Sequence, residues 1–525
     1  MRVSPVNIVG GFNDDDAASW ARLDPVNWIP EIAEGQNRSQ AKLANAPGLN
    51  PRVDLGAGPI RGLHNVQGKL FAVSGNTLFE VRTDNTFVSR GTIPGVARVG
   101  MAHNQRDKTA VGNELIVTND SSGYVWDTAA STFGRITDPG YPGGHSPVFV
   151  DGYLAQVEPF GRFWFHSELT EATQYNTLDQ YQSESSPDRI VTLGVNQSEV
   201  IVFNETTTEF FYNSGATTGT FKSKRITTDR GCASRHGAVK LDNSQLWLGN
   251  DGVFYRLNGY SAQPISTGPV EKAVAGYDWA GCFAFTYESK HHKIAYWTFP
   301  NGKTFGYDVV TGLWHRRKSF GLERWRVNAL VEWNGEWIAG DYASGQLYTL
   351  DWAAAFEGDD PLERELTSPI MHDELNPFSV NRLHLLFDVR ESVAMPTSGT
   401  ELTPVVLWGA NSDASGIAID ADMSFNSEVA DSVSVGVVGL YSGGAPFSYP
   451  PAADPVSVDL SGRTLTTITP IALTIGNVGP GISFWWAPAV ETTAIPFGAH
   501  YVRISYHSGG PPTFVVGLIY NSPGA

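Results

Sequence analysis

The chain is poor in cysteine: Cys232 and Cys282 are the only two among 525 residues. Two are too few for a disulfide framework, and neither belongs to a Cys-x-x-Cys pair of the kind that holds zinc, so buried free thiols are expected. Charge is sparse as well, at 17% of residues, and tilted to the acid side, with 54 Asp and Glu against 36 Lys and Arg for a formal −18. Gripping nucleic acid requires clustered cations against the phosphates, so the balance argues against that class. An acidic wall around a channel would instead repel a duplex and let it slide. No run of 18 apolar residues occurs, and even 464–486 is broken by Thr, Gly, Asn and Pro, so no membrane anchor is expected. The N-terminal stretch MRVSPVNIVGGFNDDD lacks the basic and apolar segments of a secretory leader, which leads to the expectation of a soluble protein made in a cytoplasm.

Catalytic signatures are missing too. There is no Gly-x-Ser-x-Gly elbow to present a serine nucleophile and no His-Glu-x-x-His for zinc. His291 and His292 are adjacent, so on a strand they would point to opposite faces, one in and one out. The Asp14-Asp15-Asp16 run lacks the spaced ligands and glycine of a calcium loop and reads as a solvated turn. Glu205, Glu209, Asp229, Asp251 and Asp278 could meet across a cleft as a glycosidase pair, but 54 acidic residues make such coincidences common. The sialidase-type Ser-x-Asp-x-Gly-x-x-Trp turn is approached only distantly, at NDSSGYVW (119–126), and regular WD signatures are lacking. No catalytic residue, no cofactor and no metal is expected, and the chain is read as not an enzyme.

What is present is a repeat. Aromatics reach 12%, and 55 Gly and 31 Pro punctuate the chain, the profile of many short strands and tight turns. About every 45 residues a turn with Gly, Asn or Asp opens a β-branched and aromatic run, followed by a second turn and strand. The signal recurs at 66–81, 111–127, 150–167, 196–215, 242–259, 291–308 and 333–351. One such hairpin cannot bury its apolar face alone, so the copies should stack radially into an all-β, six- or seven-bladed β-propeller. The number depends on whether the first and last signals share a blade.

Four regions follow. Residues 1–60, rich in Pro and Asn, read as an N-terminal extended arm; 61–352 as the propeller; 353–376 as a linker of short helix or loop; and 377–525 as a C-terminal antiparallel β-sandwich-like domain. In the last, 380–390, 403–410, 500–508 and 513–520 alternate like half-buried strands, and a low-charge insertion occupies about 411–490. The polar stretch 170–190 shows no period-2 pattern and is expected to be a long loop on one face. Basic groups cluster at 222–225, at Arg230 and Arg235, and at His315, Arg316, Arg317 and Lys318 followed by Arg324 and Arg326. In an acidic chain they are candidates for partner contact, against the plainer alternative of Arg stems covering Trp314 and Trp325.

Several stretches in order carry a family resemblance: Asn27-Trp28-Ile29-Pro30-Glu31, Pro47-Gly48-Leu49, Arg98-Val99-Gly100-Met101-Ala102-His103, Ser183 through Ile190, Thr208 through Tyr212, Gly215 through Thr218, and Gly231 through Gly252. Over residues 20–350 the chain resembles the tail hub proteins of short-tailed phages, also called packaged-DNA stabilisation proteins, tail accessory factors or nozzles. After 376 only the strand pattern is similar. The resemblance implies a structural virion protein of the phage tail, a homohexamer below the portal and the head-to-tail connector (adaptor) ring. It would extend the DNA channel, pass genomic DNA through the lumen without sequence-specific binding, retain the packaged DNA, and give a platform for a tail needle, fibres or spikes. A closed ring requires two different complementary patches on each subunit. The 170–190 stretch, with Asp188 and Arg189, and the 315–326 cluster are the patches expected to serve. The alternative reading is a glycan-binding or polysaccharide-degrading propeller of a phage tail.

Overall fold

The computed structural model describes residues 9–14, 23–32, 41–105 and 113–367, and the backbone of six short strands between 432 and 519. Two units divide the chain, Met1–Met371 and His372–Ala525.

In the first unit the repeat is a seven-bladed propeller. Each blade is a four-stranded antiparallel meander whose first strand lies innermost. The inner strands are Ile60–Val66, Gly100–Gln105, His145–Val150, Ile190–Asn196, Ala238–Leu241, Phe283–Ser289 and Val327–Trp333, heading blades 1 to 7 in order. Each touches the inner strands before and after it, and that of blade 7 meets that of blade 1, so the circle is closed.

The turns explain the signal. The hairpin between first and second strands closes on two successive residues of positive φ: Gln67-Gly68, Asp151-Gly152, Gln197-Ser198, Asp242-Asn243, Lys290-His291 and Asn334-Gly335. This is the type I′ geometry, whose twist matches that of the flanking strands. Blade 2's corresponding turn lies outside the described residues. His291 is therefore a turn residue and exposed, while His292 starts the strand and is buried.

Apolar residues of the strands fill seven core clusters, one between each neighbouring pair of blades. Between blades 3 and 4, Ala155, Val157 and Trp164 meet Leu193, Val200 and Phe211. At the closing seam, Leu70 and Ala72 of blade 1 meet Trp333 and Ile338 of blade 7. Burying one such large side chain contributes about 1.5–3 kcal/mol, so each seam is held by many small increments. Tryptophan N–H groups pin the seams: Trp297 donates to the Gly237 carbonyl at 2.9 Å and Trp333 to that of Gly68 at 2.8 Å.

Ring closure differs from the expected arm boundary. Gly48–Asp54, placed with the arm by its composition, is the outer strand of blade 7, paired antiparallel with Gln346–Asp351. The N-terminal chain thus completes the last blade. Upstream, Asp24–Val26 adds a fifth strand to blade 6, and Trp28–Ile32 pairs with Ala41–Asn45. Ile29 and Ala46 of this segment enter the core between blades 6 and 7. The 353–367 part of the expected linker is also β: Phe356–Glu357 and Asp360–Pro361 extend blade 7, and Glu365–Thr367 extends blade 6. An open sheet edge offers unpaired backbone groups, and these short strands satisfy them.

The expected loop at 170–190 is mostly a strand. Glu171–Tyr181 is the outer strand of blade 3, and register shifts between Phe165 and Ser167 and between Ser167 and Glu168 break its alternation. The one helix among the described residues, Gly268–Val274, lies between blades 5 and 6 and buries Val270 and Val274.

In the second unit Ser432–Gly436 pairs antiparallel with Ser457–Asp459 and Leu518–Ile519. Thr513–Val516 pairs antiparallel with Ile504–Tyr506 and Leu473–Thr474, so the expected closing pair is formed. Strands within the presumed insertion therefore share sheets with the closing strands. The expected strands at 380–390 and 403–410 lie outside the described residues.

Candidate functional site

Antiparallel meanders that begin at the axis bring every link between blades, and every turn between second and third strands, to one face. On that face the links deliver a basic residue close to the start of several inner strands: Arg61, Arg98, Arg189, Arg235 and Arg324. They differ in what holds them.

Arg61 is caged by carbonyls, donating to Ala97 at 2.6 Å, Ile93 at 2.8 Å and Gly75 at 2.9 Å, and so fixes the link into blade 2. Arg98, on that link, reaches across the axis. Its guanidinium lies 4.0 Å from the Phe283 ring centroid in blade 6 and donates to the Asn328 carbonyl in blade 7. Arg324 approaches the same ring at 5.5 Å and covers Tyr342 at 4.7 Å. Burial, then the facing Arg324, pulls Arg98 down to about 9, still cationic at neutral pH. Burial likewise pushes His145 and His236 down to about 3, helped by neighbouring arginines, so both imidazoles are neutral. Beneath this mouth lies a cavity of about 260 Å³ lined from blades 1, 2, 5, 6 and 7.

The structure separates the expected contact residues. His315, Arg316 and Arg317 are buried in the outer strand of blade 6 and form no surface patch. Arg316 makes a bidentate pair with Asp24 at 2.7 and 2.5 Å. Arg317 faces Glu357 at 3.4 Å and stacks 4.2 Å from the Trp325 ring centroid. Lys318 pairs with Glu365 and, at 3.5 Å, Glu363. Arg326 pairs with Asp341 at 2.8 Å and Asp360 at 3.0 Å. This cluster clamps the arm and the segment after the propeller onto blades 6 and 7. Its partners at Asp24 and at 357–365 are distant in sequence, which is why the run reads as free charge.

Asp188 accepts from the Thr206 N–H and hydroxyl, both at 2.7 Å, and from the Thr207 N–H at 3.1 Å. Burial works against its charge, yet the Thr206 hydrogen bonds hold its carboxyl below the ordinary value. Arg189 beside it is exposed.

Of the carboxylates weighed for glycoside chemistry, three are committed locally. Glu209 is fully buried and accepts from Ser183 and from the N–H groups of Glu184 and Ser185. Asp251 accepts from the Tyr255 hydroxyl at 2.6 Å and Asp278 from the Gly281 N–H at 3.2 Å, while Glu205 and Asp229 are exposed. Among the described residues no group of three or more His, Cys, Asp or Glu could hold a metal ion. Of the Asp14–Asp16 run only Asp14 is described. Both cysteines are buried and free, and burial pushes Cys232 up to about 12.

A second cavity, of about 480 Å³, lies between blades 4 and 5. Its charges are paired: Asp242 with Arg256 at 2.8 Å and with Lys293 of blade 6 at 2.5 Å, and Glu199 with Lys224. Sequence reasoning missed the axial residues Arg61, Arg98 and Lys240. The available signal was a basic residue beside the start of five of the seven inner strands, at Arg61, Arg98, Arg189, Arg235 and Arg324; Lys240, third in its strand, carried no such signal.

Comparison with known proteins agrees with this architecture. The family model described as "Bacteriophage P22 Gp10, beta-propeller" matches residues 4–355. Among curated proteins, the tail hub protein gp10 of Salmonella phage P22 is 25% identical over 295 residues, covering 53% of this chain and 60% of that protein. The match thus spans less than two thirds of the relative's length. Among solved structures, the computationally designed Ika8 protein aligns at 12% identity over 57% of this chain and 99% of its own, with a TM-score of 0.37. BamB from Moraxella catarrhalis aligns at 10% identity over 63% and 98%, with a TM-score of 0.36. Scores this low add nothing to the argument.

Proposed function

The chain belongs to the bacteriophage stabilisation family of P22 Gp10-type β-propellers, and from that membership we propose that it is a structural tail hub of a phage virion. Six copies form a ring below the connector, continue the DNA channel and retain the packaged genome, with the outer side of the ring receiving needle, fibres or spikes. The observation that carries this reading is the family match across the whole propeller, joined to Arg98, which crosses the propeller's own axis from the link into blade 2 to Phe283 of blade 6. With Arg98 across its axis the blade ring serves as a wall element, and the DNA conduit lies between copies.

The acidic balance of −18 suits a conduit that must let a duplex slide. The face that carries the links also exposes Val96, Phe160 and Phe320, at 95%, 69% and 49%. Exposed apolar side chains together on one face mark it for docking against a neighbour or the connector. Arg189 stands on that face and serves the same contact. A structural rather than catalytic role is supported by three of the carboxylates weighed for hydrolysis, Glu209, Asp251 and Asp278, which are engaged by local hydrogen bonds.

Native mass spectrometry of the purified protein, alone and with its connector ring, tests the proposal. Six copies on one connector support it; a lone chain that ignores the connector and depolymerises host polysaccharide contradicts it.

A further inference from the structure

The axial cavity has an unusual lining for so acidic a chain. Arg98 and Lys240 contribute two cations, Thr286 a hydroxyl, and Met101, Phe285 and Leu330 apolar surface; among the described residues no carboxylate lines it. The Arg98 Nε is buried and has no hydrogen-bond partner, and the same holds for Nη2 of Arg324, which shares the Phe283 ring with Arg98. Lys240, on the inner strand of blade 5, is exposed and makes no ion pair among the described residues. Other arginines that hold the fold have acceptors for their charge, Arg316 in Asp24, Arg326 in Asp341 and Arg61 in three carbonyls, although Arg317 and Arg364 also keep buried N–H groups without one. A buried N–H without an acceptor costs about 1–3 kcal/mol, more when it is charged, so two cations facing each other need a reason.

We propose that the axial cavity is an oxyanion site, in which Arg98 and Lys240 grip a small oxyanion from opposite sides of the propeller axis and Arg324 closes it from the mouth. The shared chemistry is a negatively charged oxygen pair, supplied either by a free anion such as phosphate or by a carboxylate on a protein segment entering the mouth. A bound oxyanion ties blade 2 to blade 5 across the axis, removes the repulsion between Arg98 and Arg324, and stiffens the ring.

The test is thermal unfolding of the full chain at neutral pH and constant ionic strength, with chloride replaced stepwise by inorganic phosphate or, separately, by a tri-aspartate peptide. Phosphate also stabilises proteins generally by exclusion from their surface, so the readout is the difference between the wild type and Lys240→Gln. Lys240 is exposed and outside every core cluster, so this variant folds even if Arg98→Gln does not. The expected result is a saturable rise in Tm in the wild type, with half-saturation shifted at least about tenfold by Lys240→Gln, the size of one charge-assisted hydrogen bond. A response to phosphate assigns the site to a free anion, and a response to the peptide alone assigns it to a protein carboxylate. Superimposable curves for wild type and Lys240→Gln with both ligands overturn the proposal.

Discussion

Glu357 shows how much of the fold hangs on single charges. It is fully buried, faces Arg317 at 3.4 Å and accepts from the Trp325 Nε1 at 2.8 Å. Burial raises its pKa, and Arg317 works in the opposite direction. Removing one member of a buried pair leaves the other charge uncompensated, at a cost of about 3–5 kcal/mol. Glu357→Ala should therefore lose about that much in urea unfolding of the full chain, and Glu357→Gln less, because it keeps the acceptor for Trp325. The cysteines give a second prediction of the same kind. Thiolate is the reactive form, so neither Cys232 nor Cys282 should react with a thiol reagent at pH 8 in the folded protein, and both should react in urea. The thiols were legible in the sequence because burial is the ordinary fate of lone cysteines. The 315–318 run was not, because a strand of charges announces its sign but not its partner, and the partners here lie about 40 and 290 positions away.

Blades became visible in the sequence where burial and turn chemistry coincide. The second and third strands are buried on both faces, as in Lys69–Ser74 and Gly123–Asp127, and the turns before them use left-handed backbone. The fourth strands are not: Phe87–Thr92 and Thr132–Arg135 are half exposed, and such strands carry no alternation to detect. For the same reason Gly48–Asp54 looked like an arm, since its polar, Pro-containing sequence suits an outer strand as well as an extended tail. Its pairing partner, some 300 residues downstream, is set by ring closure. That closure is sensitive at Gly340, on the second strand of blade 7, where a Cβ would come 2.3 Å from the Ile60 Cγ2 of blade 1. Overpacking of this kind costs about 1–3 kcal/mol, so Gly340→Val should lower stability by at least that much. The equivalent change at Gly134, where a Cβ meets nothing within 4 Å, should be nearly neutral in the same denaturation assay.

Seven seams closing on one another make the propeller a cooperative ring, and its acid response follows from buried histidines. His64, His145, His236 and His315 are pulled by burial from near 6.5 to about 3, so each is neutral when folded and binds a proton when unfolded between those values. The unfolded state takes up more protons over that window, so stability is full above about pH 6.5 and declines as pH falls toward 3. Each histidine contributes a slope of up to about 1.4 kcal/mol per pH unit. His292, raised by Asp308 and Glu31 against its burial, opposes the trend. Urea midpoints should therefore drop steadily from pH 6.5 to pH 4.5, and a flat profile there would refute the assignment of neutral buried imidazoles. The role of the ring in an assembly could not be read from composition; it came from matching segments in order. The most direct measurement is a cryo-EM reconstruction of the assembled tail. Six copies should surround the DNA, with the duplex passing between copies and Arg98 spanning every propeller axis. DNA density threading a propeller's own axis, or a position for this chain away from the DNA path, would contradict this arrangement.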